Sequence, residues 1–113
     1  MKNPDWIKEF PASVIVCDKT GIILDMNDKA AGTYEKDGGR GLIGCNILDC
    51  HPEPACSKTL ALLTAGEKNS YTIEKNGIKK LVYQSPWFLK GQYAGFVEIL
   101  LEIPFEMPHF IRF

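Results

Sequence analysis

The last third of the chain permits little besides strand. Residues 70–103 run SYTIEK, IKKLVYQSPWFL and QYAGFVEILLEI, rich in β-branched and aromatic residues and interrupted only at Asn76-Gly77 and Lys90-Gly91. Asn-Gly is the pair that a two-residue hairpin turn demands, because both of its central residues need positive φ. Three such runs make an antiparallel meander and commit the fold to a sheet. In the last run the odd positions Tyr93, Val97, Ile99, Leu101 and Ile103 can all face a core. The even positions carry Glu98 and Glu102, which favour water, beside Phe96 and Leu100, which do not.

The first third predicts two more strands. SVIVCD (13–18) and GIILDM (21–26) flank Asp18-Lys19-Thr20-Gly21, a hairpin pattern. Between the two strand regions the signals are helical and short. Asn27 or Asp28 can cap NDKAAGTYEK, which stops at Asp37-Gly38-Gly39. GRGLIGCNILDCHP is turn-rich, with one helical turn expected over Cys45 to Leu48. Pro54 suits the first position of the helix ACSKTLALLTAG, in which Cys56, Leu60 and Leu63 share a face and Gly66 ends the run. Strands at both ends of one chain, with helices between, imply an α+β domain: one five-stranded antiparallel sheet with short helices on one face, in the order β-β-α-α-α-β-β-β. Residues 1–10 form an N-terminal helical cap, 11–103 the domain and 104–113 a tail.

Composition supports one ordinary globular domain and excludes several functions. The chain has 113 residues, 45% hydrophobic and 24% charged, and carries a net charge of −1. No basic patch suggests nucleic acid, and Lys79-Lys80 is too short to count. No apolar run approaches the roughly 18 residues of a membrane span, and MKNPDWIKEFPASVIVCD lacks a signal-peptide core. The reading is a cytoplasmic protein whose four cysteines are free thiols or ligands rather than bridges. Gly38-Gly39-Arg40-Gly41 lacks the Lys-Ser/Thr of a phosphate loop, and no Ser-His-Asp set or paired-carboxylate motif occurs, so an enzyme is not expected.

Four segments together resemble the PAS family of sensory domains. The first is Pro11-x-x-Val14-Ile15-Val16-Cys17-Asp18-x-x-Gly21-x-Ile23-x-x-x-Asn27-x-x-Ala30, similar to that family's opening hairpin and first helix. Gly41-Leu42-Ile43-Gly44-Cys45-Asn46-Ile47-Leu48 resembles its segment before the short helices, and Gly91-x-Tyr93-x-Gly95-Phe96-Val97-Glu98-Ile99 resembles its last strand. Cys50-His51-Pro52 and YQSPW are similar to a prokaryotic PAS subgroup, some members of which are joined to hemerythrin-like domains. One departure stands out. Leu101-Glu102-Ile103-Pro104 replaces the D-I-T triad that leads into a signalling helix, and Pro104 blocks direct helical continuation. The resemblance therefore implies a signal-sensing, ligand-binding or protein-interaction module in signal transduction, acting through a homodimer or a signalling partner.

Each candidate site has a rival. Cys45, Cys50, His51 and Cys56 crowd into thirteen residues and offer a metal or redox site, the alternative function. Their spacing, however, matches neither paired zinc motifs nor a CxxC redox pair, and buried cysteines also serve as small hydrophobes. Within the resemblance, Ile47 stands where photosensory members carry the flavin-reactive cysteine and Val97 where they carry a glutamine, which argues against flavin. The absence of His from residues 55–65 argues against haem, with His51 just outside that helix. The cofactor stays unknown. Val14, Val16, Ile23, Ile47, Leu60, Leu63, Tyr71, Ile73, Tyr83 and Val97 are the expected walls of a ligand pocket, with Tyr71, Tyr83, Ser85 or Trp87 as polar groups. The same residues could equally fill a core. Trp6, Phe10, Phe96 and Leu100 are the expected dimer face, on a sheet surface covered by the N-terminal segment or a second copy.

Overall fold

The C-terminal meander and the N-terminal hairpin join into a single sheet because the last strand inserts beside the first. The computed structural model describes residues 4–50 and 53–113, without the side chains of Cys50 and Ala55. Strands β1 (Ser13–Asp18) and β2 (Ile23–Met26) are followed by helix α1 (Asp28–Thr33), 3₁₀ turns at Glu35–Asp37, Gly39–Leu42 and Ile47–Cys50, and helix α2 (Ala55–Ala65). Strands β3 (Asn69–Lys75), β4 (Ile78–Leu89) and β5 (Gln92–Ile103) complete the chain. The antiparallel sheet runs β2-β1-β5-β4-β3, the expected α+β architecture.

Local chemistry explains the element boundaries. Asp18 Oδ1 accepts from the Thr20 amide (2.9 Å), the Thr20 hydroxyl (2.7 Å) and the Ile22 amide (3.0 Å), which closes the first hairpin as an Asx turn. Asn76 and Gly77 both take positive φ, as the β3–β4 turn requires. Gly66 ends α2 in the left-handed region with its amide on the Leu62 carbonyl. The α1 helix is shorter than expected and passes into 3₁₀ turns after Thr33, with Gly38 and Gly39 at positive φ. The edge of β2 is covered by residues 44–47: Ile23 donates to the Cys45 carbonyl, and Gly44 donates to that of Ile23.

Asn27 organises the N-terminal half. It is 4% exposed and caps α1, accepting from the Ala30 amide (3.1 Å) and, across the chain, from Val14 (3.0 Å). Its amide nitrogen reaches the carbonyls of Ala12 (2.8 Å), Ile7 (3.1 Å) and Phe10 (3.4 Å). The segment before β1 is therefore held as hydrogen-bonded turns rather than a regular helix, tied further by Lys8 to Asp28, which also pairs with Arg40. Those two cations, Lys8 foremost, keep the Asp28 carboxyl below the usual carboxylate range. Residues 104–113 form no strand or helix, and Phe110, Ile111 and Phe113 are exposed.

The two faces of β5 are the reverse of the expectation. Phe96 is buried against Leu63 of α2 and Cys17 of β1, so the even positions point toward the helices. Leu100, paired with Ser13 and Val82, lies on that same inner side. Val97, Ile99, Leu101 and Ile103 lie on the outer side, opposite Val14, Val16, Leu81 and Tyr83 of the neighbouring strands. Phe96 and Leu100 thus cannot form an outer dimer face. The physical reason is Glu98: its carboxylate points inward and is hydrogen-bonded there, so it does not require water.

Candidate ligand-binding cavity

A cavity of about 90 Å³ lies between the inner sheet face and the helices. A water needs roughly 10–15 Å³ of such space, so the cavity admits a group of several non-hydrogen atoms. Its walls are Ile15 and Cys17 from β1, Ile23 from β2, Leu42, Ile47, the α2 residues Thr59, Leu62 and Leu63, and Phe96 with Val97 from β5. Its polar end is Tyr34, Gln84 and Glu98.

Packing fixes the apolar walls. Cys17, Leu63 and Phe96 form one buried cluster, and Ile23, Met26 and Ala30 a second; Ile47 touches both. Tyr93 donates its hydroxyl to the Leu63 carbonyl (2.7 Å) and meets Phe96 edge to face at 6.1 Å, anchoring α2 to β5. Burial pushes the Cys17 thiol above its ordinary pKa, so this wall residue is held as a neutral thiol. Next to it, Gly95 is required by close approach. A Cβ there would overlap the Cys17 carbonyl oxygen and stand 2.7 Å from the Trp87 indole nitrogen. That indole donates to the same carbonyl at 2.9 Å, crossing over the glycine.

The polar end is a directional hydrogen-bond chain. The Tyr34 hydroxyl donates to Glu98 Oε1 (3.2 Å) and the Gln84 amide to Glu98 Oε2 (2.8 Å). A carboxylate only accepts, which sets Gln84 with its nitrogen toward Glu98. Gln84 Oε1 is then free to accept from Asn69 Nδ2 at 2.8 Å. Burial and the Glu98 charge push the Tyr34 phenol above its usual pKa, and the same two causes act on Tyr71 of β3. Tyr34 is therefore a durable donor.

Of the expected pocket residues, the structure brings Ile23, Ile47 and Leu63 to the cavity; Val97 borders it only as the β5 position between Phe96 and Glu98, on a strand position that alternates to the outer side. It does not bring the others. Val14, Val16 and Tyr83 lie on the outer face because the register pairs them with Ile99 and Val97. Leu60 is 50% exposed: the inward stripe of α2 runs through Thr59, Leu62 and Leu63, about 100° per residue away. Tyr71 and Ile73 are largely exposed on the edge strand β3. Of the expected polar groups, Ser85 and Trp87 belong to the outer side with Tyr83. The actual ones were legible only as a pattern across strands: Glu98 stands directly opposite Gln84, and Gln84 opposite Asn69. Trp6 and Phe10 are exposed and stack edge to face at 5.9 Å on the N-terminal turn.

The cysteine-rich stretch is described only in part. Cys45 is exposed with its thiol 3.8 Å from the Gly41 carbonyl, and the Cys56 thiol lies 3.4 Å from the Leu48 carbonyl. The Cys50 side chain and His51 fall outside the described residues. Among the described residues no three metal-binding side chains converge, and no helix is long and apolar enough to cross a membrane.

No family model and no curated protein matches this sequence. Solved structures do. The PAS domain of BvgS from Bordetella pertussis superposes with a TM-score of 0.64 at 17% identity, covering 87% of this chain and 81% of that one. The protein has a PAS-type fold. A C-terminal domain from Streptococcus mutans is similar as well (TM-score 0.69, 20% identity, 85% and 78% covered). So is the Aer2 receptor of Vibrio cholerae, a dual PAS-haem oxygen sensor (TM-score 0.60, 18% identity, 82% and 95% covered). The likeness at these identities is one of fold. In this PAS-type domain helix α2 carries no histidine.

Proposed function

We propose that this PAS-type domain is a non-catalytic sensory module whose signal is a small molecule bound in the cavity between sheet and helices. The observation that carries the reading is the cavity's make-up: apolar walls from six elements, counting two 3₁₀ turns, and, at one end, three convergent polar side chains. A ligand that contacts Leu62, Leu63 and Thr59 on one side and the sheet on the other couples α2 to β5. Its differential affinity for two packings of α2 would shift their populations. Native mass spectrometry and a metabolite thermal-shift screen test this. A true ligand at about a hundred times its Kd adds roughly 2.7 kcal/mol, a rise of several degrees in Tm for a domain of this size. A screen in which nothing binds, together with loss of no stability when the cavity is filled by Ile47→Phe, overturns the reading.

The output is proposed to run through a second copy of the chain. The supporting observation is the outer sheet face, where Val14, Val16, Val97, Ile99, Leu101 and Leu81 form a continuous half-buried aliphatic surface. Ile99→Glu should convert a dimer to a monomer by light scattering. An unchanged mass rules that face out.

A further inference from the structure

Among the described residues, the cavity holds a carboxylate without a cation: Glu98 lines it, no described Lys, Arg or His does, and Glu98 makes no ion pair with any of them. Along β4 the nearest lysine on the inner side is Lys80. It stands opposite Glu102, with the Val82–Leu100 pair between it and Glu98.

The hydrogen-bond chain fixes what the site can still offer. Asn69 donates to Gln84, Gln84 donates to Glu98, and Tyr34 donates to Glu98, so every bond of the chain points toward the carboxylate. An ionised carboxylate has about four acceptor positions, and the two protein donors use two of them. What remains at the polar end is mainly acceptor capacity and negative charge, beside the second N–H of Gln84. The Glu98 charge is also a cause, after burial, of the upward pKa shifts of Tyr34 and Tyr71.

Resting on the sensory reading above, we infer that the ligand is a small organic cation: a protonated amine on a compact apolar body, the ammonium donating to Glu98 and the body packing on Ile23, Leu63 and Phe96. A ligand carboxylate or phosphate would meet like charge, with only the second, neutral N–H of Gln84 to receive it and no cation in the described lining to offset the repulsion. A neutral hydroxyl would gain one hydrogen bond but leave the charge unpaired. An ammonium both donates and neutralises, and charge-assisted bonds are roughly twice as strong as neutral ones.

The test titrates the full chain with 3-methylbutylamine, 3-methylbutan-1-ol and 3-methylbutanoate at pH 7, followed by ¹H–¹⁵N shift changes. The three probes share nearly the same apolar body. The expected result is an ammonium affinity about tenfold or more above that of the alcohol, the scale of one charge-assisted bond, with no carboxylate binding. In Glu98→Gln the amine should fall to about the level of the alcohol, while the alcohol, which loses only the strength of one neutral-to-charged hydrogen bond, should change far less than the amine. An alcohol that binds as tightly as the amine overturns the cation inference and leaves the cavity reading standing; so does an amine preference that survives Glu98→Gln. If neither the amine nor the alcohol binds, the cation inference falls, and the metabolite screen with Ile47→Phe decides the sensory reading separately. Should Glu98→Gln not fold, the ratio of amine to alcohol affinity in the native chain decides alone.

Discussion

Two buried polar centres organise this domain, and they differ in what they leave over. Asn27 engages both of its atoms fully, with three carbonyls on its nitrogen and two amides on its oxygen. Everything it bonds is backbone, and the result is an N-terminal segment clamped to β1 and α1. Glu98 bonds side chains, and only two of them. It faces a cavity rather than a packed turn. A polar group whose capacity is exhausted by its own chain is there to hold the fold. One that retains acceptors beside empty space is placed for something else.

That contrast predicts opposite responses to mutation. The largest effect should come from Asn27→Ala, which strands several backbone groups; denaturant unfolding should show a loss of about 3 kcal/mol or more. A loss below about 1 kcal/mol would dissolve the distinction. Gly95→Ala should follow, at roughly 1–3 kcal/mol, because the new methyl cannot share space with the Cys17 carbonyl and the Trp87 indole. Tyr34→Phe removes one hydrogen bond to Glu98 and should cost about 1 kcal/mol.

A pH profile sharpens the same comparison. The Tyr34 and Tyr71 phenols are raised in the folded protein, mainly by burial and then by Glu98. Their contribution is therefore complete below the unfolded phenol value of about 10 and is lost as pH rises beyond it. Equilibrium unfolding between pH 9 and 12 should show that decline, and Tyr34→Phe should flatten it. The smallest effect belongs to Glu98→Gln, which keeps the shape and removes the unpaired charge. Its stability should stay within about 1 kcal/mol of the native protein. A loss comparable to that of Asn27→Ala would make Glu98 a second structural clamp.

The sheet was legible in the sequence because its cues are local. Asn76-Gly77 needs positive φ, Asp18 closes its own turn, and β-branched runs between such turns leave few alternatives. Asn27 was legible as a helix cap for the same reason, although its hold on Ile7, Phe10 and Ala12 was not, since those contacts cross 15 to 20 residues. The cavity was harder. Both faces of QYAGFVEILLEI are largely apolar, so a period of two cannot say which faces the helices. A rule that sends Glu to water chose the wrong side. The information that reverses it lies in the pairing of Glu98 with Gln84 and in the reach of Tyr34, 64 positions earlier in the chain. Likewise Leu60 and Leu62 are equally apolar, and only the docking of α2 selects Leu62.

On the proposed function, the inner sheet face, with Glu98 at its polar end, is where this domain meets its signal. Shift mapping during titration with 3-methylbutylamine tests it most directly. The Gln84 side-chain amide and the backbone amides of residues 96–98, 62 and 63 should move together and saturate, while those of Tyr83, Ile99 and Leu101 should not. Saturating shifts confined to the outer face or to the tail, with Gln84 unmoved, would contradict it.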